Sequence, residues 1–144
     1  MTTLVPSASR QRIRGALQKI LFSDLVSGTA KNIFTPFKNG TVFLSGQLIV
    51  KTPFNSATSD VMTIGKTVDD SAVSANAYLT STSIATAANT RTPFTVIPPF
   101  VEDVATGARQ LTATWTGVST APTAGEVWVA VQYMRDGHED FSEG

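Results

Sequence analysis

Alternation with a period of two constrains this chain more than any other feature. In Glu126-Val-Trp-Val-Ala-Val-Gln-Tyr-Met134, the residues Val127, Val129, Val131 and Tyr133 fall on one side of an extended backbone. Trp128, Ala130, Gln132 and Met134 fall on the other. Successive side chains of a strand point to opposite faces, so the apolar set is buried together only if the segment joins a sheet. Arg109-Gln-Leu-Thr-Ala-Thr-Trp-Thr116 repeats the pattern, with Leu111, Ala113 and Trp115 opposite Gln110, Thr112, Thr114 and Thr116. A threonine-rich outer face suits an antiparallel sheet with one wet side. The turn residues Thr120-Ala-Pro-Thr-Ala-Gly125 between the two strands predict a hairpin.

The same period governs Thr41 to Val50. Val42, Leu44, Gly46, Leu48 and Val50 point one way, and Phe43, Ser45, Gln47 and Ile49 the other. Asn39-Gly40 supplies a tight turn before this strand, and Gly46 within it signals a bulge or the close approach of another backbone. Val61 to Ile64 predicts a short strand stopped by Gly65. Residues 66–91 read as a long polar excursion with one strand at 77–84, and Thr92 to Ile97 as a strand ended by Pro98-Pro99. Short strands with Gly and Pro punctuation predict an all-β antiparallel sandwich, jelly-roll-like, over residues 20–137. A single domain is the expectation for 144 residues, and that length buries a core without disulfides, which a chain with no cysteine cannot form.

The ends differ. Residues 1–51 hold seven Lys or Arg against one acid, a net of +6, and residues 52–144 hold four against ten, a net of −6. Such asymmetry predicts complementarity between the ends, within one protomer or across an interface. Residues 1–19 read as an extended basic arm carrying Arg10, Arg12, Arg14 and Lys19, and residues 138–144 as an acidic tail. Within 10–22, Ile13, Leu17, Ile20 and Leu21 have helical spacing, yet the segment could equally begin the first strand.

Little in the chain points to catalysis. His138, the one histidine, lies in the terminal tail, which cannot fix partners around it. The acids Asp60, Asp69, Asp70, Glu102 and Asp103 read as solvated loop carboxylates, with calcium at Asp69-Asp70 as the minor alternative. No nucleophile elbow, phosphate loop, dinucleotide fingerprint or zinc spacing occurs, so neither enzyme activity nor a cofactor is expected. The longest apolar runs are far short of the roughly 20 residues that span a bilayer. A neutral chain without aromatic residues among its N-terminal arginines argues against nucleic acid as the partner. Trp128, on the face expected to be wet, is an apolar interface candidate.

One longer string carries a resemblance. Leu48-Ile-Val-Lys-Thr-Pro-Phe-Asn-Ser-Ala-Thr-Ser-Asp-Val-Met-Thr-Ile-Gly65 resembles a family of small virion proteins of tailed bacteriophages. Ser23-Asp-Leu-Val-Ser-Gly28, Leu111-Thr-Ala-Thr-Trp-Thr-Gly117, Ala121-Pro-Thr-Ala-Gly125, Val129-Ala-Val-Gln-Tyr133 and Asp136-Gly137 continue the likeness in order. The resemblance implies a non-enzymatic capsid decoration or cement protein on the outer surface of the assembled head, or else a head-fibre or tail module that binds carbohydrate or a host surface. Its implied partners are the major capsid protein and further copies of this chain, with a trimer favoured over a dimer. Arg10, Arg12, Arg14, Lys19 and Trp128 are the residues expected to dock on that partner.

Overall fold

A computed structural model describes residues 13–38, 40–56, 58–68, 74–95, 108–118 and 120–135. Eight strands run in chain order: β1 (Arg14–Leu21), β2 (Ala30–Phe37), β3 (Thr41–Thr52), β4 (Ser59–Val68), β5 (Ser74–Ser83), β6 (Arg91–Pro93), β7 (Arg109–Val118) and β8 (Glu126–Arg135). They form two antiparallel sheets in the orders β1-β8-β3-β6 and β2-β7-β4-β5. These are the two sheets of an eight-stranded jelly roll, so the fold is the all-β sandwich that the alternation predicts.

Between the sheets lie Ile20, Phe43, Leu48, Val50, Val127, Val129 and Val131 from the first, against Ile33, Met62, Ile64, Leu79, Leu111, Ala113 and Trp115 from the second. Burying each large side chain is worth about 1.5–3 kcal/mol, so this double layer is what drives the two sheets together. Leu111, Ala113 and Trp115 of β7 and Val127, Val129 and Val131 of β8 are all buried, as their period demands.

Their pairing differs from expectation. β7 and β8 form no hairpin; β7 pairs with β2 and β4, and β8 with β1 and β3. The turn between them crosses from one sheet to the other. It is held by Asn55, whose Oδ1 accepts the Thr123 and Ala124 N–H groups, and by Gly125, whose carbonyl accepts the Phe22 N–H. Two inward-facing apolar strands satisfy the same pattern in one sheet or in opposite sheets, and here they face each other across the core.

In β3 the register against β8 shifts twice, between Phe43 and Ser45 and between Val50 and Thr52. Phe43 lies opposite Tyr133 and Ser45 opposite Gln132, which leaves Leu44 as the extra residue of a bulge. Phe43, rather than Val42, therefore shares the core face with Leu48 and Val50. Gly46 answers a side chain, not a backbone: a Cβ there would run into the Phe94 ring.

β4 does not stop at Gly65 but continues to Val68. A Cβ at Gly65 would meet the Ser74 carbonyl and the Ala75 backbone, so this glycine lets β5 approach closely at a register shift. β5 spans Ser74–Ser83, earlier than expected, and β6 is only Arg91–Pro93.

Residues 14–19, expected in the arm, belong to β1, which starts at Arg14 and pairs along its whole length with β8. The strand alternative for 10–22 holds over these positions because Ala16 and Ile20 point into the core. The helical spacing of Ile13, Leu17 and Leu21 reports instead a second, outward apolar face, for these three are exposed.

Candidate functional site

No described strand or loop assembles a catalytic constellation, and no group of three or more His, Asp or Glu able to hold a metal occurs among the described residues. No helix among them is long and apolar enough to cross a membrane. Arg10, Arg12, His138, Asp69, Asp70, Glu102 and Asp103 lie outside the described residues, as do the 138–144 tail and the calcium alternative. Of the other expected docking residues, Lys19 and Trp128 stand side by side on the outward face of the sheet β1-β8-β3-β6, whereas Arg14 lies at the far end of β1 opposite Tyr133 and on the other face of the strand, so the three do not form one patch.

β8 runs through the middle of that sheet and sets Trp128 beside Lys19 of β1 and Ile49 of β3. Trp128 is half-buried. Its indole Nε1–H donates to Glu126 Oε1 at 2.6 Å, and the Lys51 ammonium sits 4.8 Å from the ring centroid. Lys51 Nζ also donates to Asn89 Oδ1 at 2.8 Å, and Lys19 Nζ lies 3.2 Å from Glu126 Oε2. The Glu126 carboxyl is held below the usual glutamate range, first by the Trp128 N–H and then by Lys19 and Lys51. Complementarity between the basic and acidic halves is thus realised within one protomer at Lys19 and Glu126. Trp128 is fixed edge and face by its neighbours rather than left open as an apolar plate. Arg14 is exposed at the start of β1, opposite Tyr133.

Further along the same sheet, Gly15, Gln132 and Ser45 stand in one row across β1, β8 and β3, and Leu17, Ala130 and Gln47 in the next. The small side chains leave a shallow groove of about 560 Å³ between Leu17 and the two glutamines. Ser45 Oγ donates to Gln132 Oε1 at 2.9 Å and fixes one wall. A smaller hollow of about 350 Å³ opens at one end of the sandwich over Trp115, Leu25 and Val26. Amides and a hydroxyl (Gln47, Gln132, Ser45) line the first beside Leu17, Ala130 and Val131, and Ser27 and Thr120 edge the second.

Several roles were missed in the sequence. Asp60 is not a solvated loop acid; it is 1% exposed on β4 and accepts both the Trp115 indole N–H and the Ser56 N–H at 2.8 Å. Arg109, 2% exposed, donates to the Tyr78 hydroxyl at 2.8 Å and stands over the Phe43 ring. Lys51 and Asn89 carry no sequence signal, since β3 and the loop before β6 bring them to Trp128 from elsewhere in the chain; Glu126, two residues before Trp128 on the same face of β8, was legible from the period of two.

No family model and no curated protein matches the chain. Solved structures do. A chain of the Cyanophage Pam1 capsid asymmetric unit is similar with a TM-score of 0.68 at 18% identity, covering 94% of this chain and 93% of that one. A chain of the capsid of Helicobacter pylori bacteriophage KHP30 gives 0.62 at 13% identity, with 87% and 91% covered. A chain of the capsid of Ralstonia phage GP4 gives 0.61 at 14% identity, with 94% and 90% covered. At such identities the likeness is one of fold, and it runs nearly end to end in both directions: this chain shares the jelly roll of those capsid chains.

Proposed function

We propose that this protein is a structural component of a phage head, a decoration or cement protein that binds the outer surface of the assembled shell. The observation that carries this reading is the two-way coverage. Each of the three phage capsid chains is matched over at least 90% of its own length, so each is a lone jelly roll of about this size. A small β-sandwich whose described residues gather no metal-binding cluster fits a part that works by occupying a surface. Docking to the major capsid protein would use the basic segment Arg10 to Lys19, with copies of this chain gathered about a symmetry axis, a trimer before a dimer. Binding only the assembled shell stabilises it by mass action, and many copies make weak single contacts sufficient.

The fibre or tail reading, with Trp128 as a sugar platform, is less well supported, because Lys51 covers the ring and Glu126 takes its N–H. Purified protein added to heads that lack it tests the proposal. Saturation at hundreds of copies per particle, with a raised temperature of head disruption, is the expected result. A handful of copies at one vertex or on the tail, or a glycan-array signal without head binding, would overturn it.

A further inference from the structure

Each sheet has two edges, and three of the four described edges are blunted. β2 is broken by a bulge at Phe34, whose φ is +61°, and carries Pro36. β5 is kinked by two register shifts against β4, and β6 is three residues long and ends in Pro93. Such devices are how folded proteins keep sheet edges from pairing. β1 has no bulge, kink or proline, and its register with β8 is unbroken for eight residues, from Arg14 opposite Tyr133 to Leu21 opposite Glu126; its edge is blunted only toward its C-terminal end, by Lys19 and by Asp24 at Leu21.

We propose that β1 is a self-pairing edge, and that two copies of this chain join β1 to β1 in antiparallel register about a two-fold axis at Leu17, merging their first sheets into one of eight strands.

The backbone direction comes from three hydrogen bonds. Phe22 N–H donates across to Gly125 of the β8 side, so the even-numbered residues point their polar groups at β8. The Leu21 N–H instead goes to Asp24 Oδ2, and the Lys19 carbonyl accepts Gln18 Nε2, both at 3.0 Å and both away from β8. The N–H and C=O groups of Gly15 and Leu17 therefore point out along the free edge, and Asp24 closes that edge at Leu21. A partner strand must set odd-numbered residues against odd-numbered ones.

Side chains then choose among such registers. On the outward face β1 reads Ile13, Gly15, Leu17, Lys19, Leu21, a sequence that complements its own reverse. With the axis at Leu17, Leu17 faces its own copy, Ile13 faces Leu21, and the Lys19 stem lies beside Gly15. Leu17 and Ile13, now 57% and 65% exposed, become covered, and neither Lys19 nor Arg14 meets its own copy. Shifting the axis by one residue sets Lys19 against Leu17 or Ile13 and loses the apolar match. The groove beside Gly15 and Ala130 adjoins this seam. The pair does not rest on the proposed shell role, but it takes up β1 and so leaves the segment ahead of Arg14 for docking on the major capsid protein.

The chain has no cysteine, so Leu17→Cys introduces a single thiol, placed on the axis. Directly opposite residues that exchange hydrogen bonds have Cα atoms about 5.5 Å apart, within disulfide reach. Under mild oxidation the full-length L17C protein should form a covalent dimer on the order of tenfold faster or more than Val118→Cys, a control of similar exposure on β7. Leu17→Lys should remove the two-fold association step in sedimentation while the circular dichroism spectrum stays unchanged. Equal cross-linking rates for L17C and V118C, or a two-fold association step that survives L17K, would overturn the proposal. So would a β1 that pairs only when a different protein supplies the strand.

Discussion

Trp115 donates its indole N–H to the carboxylate of Asp60 at 2.8 Å, and both residues are buried. The two lie on neighbouring strands of the second sheet, and Asp60 also accepts the Ser56 N–H, which pins the 53–56 loop to β4. Asp60→Ala would leave two donors without an acceptor. Each orphaned buried donor costs about 1–3 kcal/mol, so this substitution should rank among the most destabilising in the chain. Urea denaturation of the variant measures it, and a midpoint within error of the parent would show that the pair is dispensable.

Gly65→Ala tests the close approach of β5. Its Cβ meets backbone, which cannot rotate away, so a loss of about 1–3 kcal/mol is expected. Gly15→Ala meets only the Val131 carbonyl at an ordinary 3.9 Å and should be nearly neutral in the same assay.

Glu126 predicts a pH dependence with a definite sign. Its carboxyl sits below the ordinary glutamate range because the Trp128 N–H, Lys19 and Lys51 favour the charged form. A carboxyl depressed on folding stabilises above its unfolded value, and that stability is lost as the pH falls through the folded one. Glu126→Gln should therefore be less stable than the parent at neutral pH, and the difference should shrink to nothing in strong acid. Paired denaturation curves across that range are the check; a difference that stays constant with pH would assign the role of Glu126 to shape alone.

Truncation separates arm from fold. Removing residues 1–12 leaves β1 whole, so the domain should keep its melting temperature while losing affinity for heads. Removing 1–19 deletes most of β1 and uncovers the β8 edge, and that protein should aggregate or melt well below the parent. Equal stability of the two truncations would mean that β1 contributes nothing to the sandwich. Unchanged head binding after the shorter cut would mean that the arm is not the docking element.

The sequence by itself determined which residues lie in most strands and which way many of them face. Leu111, Ala113, Trp115, Val127, Val129 and Val131 could be assigned to a core because a period of two is a local property of extended backbone. It also singled out Lys19 and Trp128, which register sets side by side, and Arg14, which the fold places at the far end of β1. Tertiary structure alone decided the neighbours. Whether β7 pairs with β8 or faces it, where Leu44 shifts the phase of β3, and that Asp60 and Arg109 are buried all depend on partners tens of residues away. The edge at β1 was decided in the same way: alternation marks a strand, but only the assembled sheet shows which of its two sides no other described strand pairs.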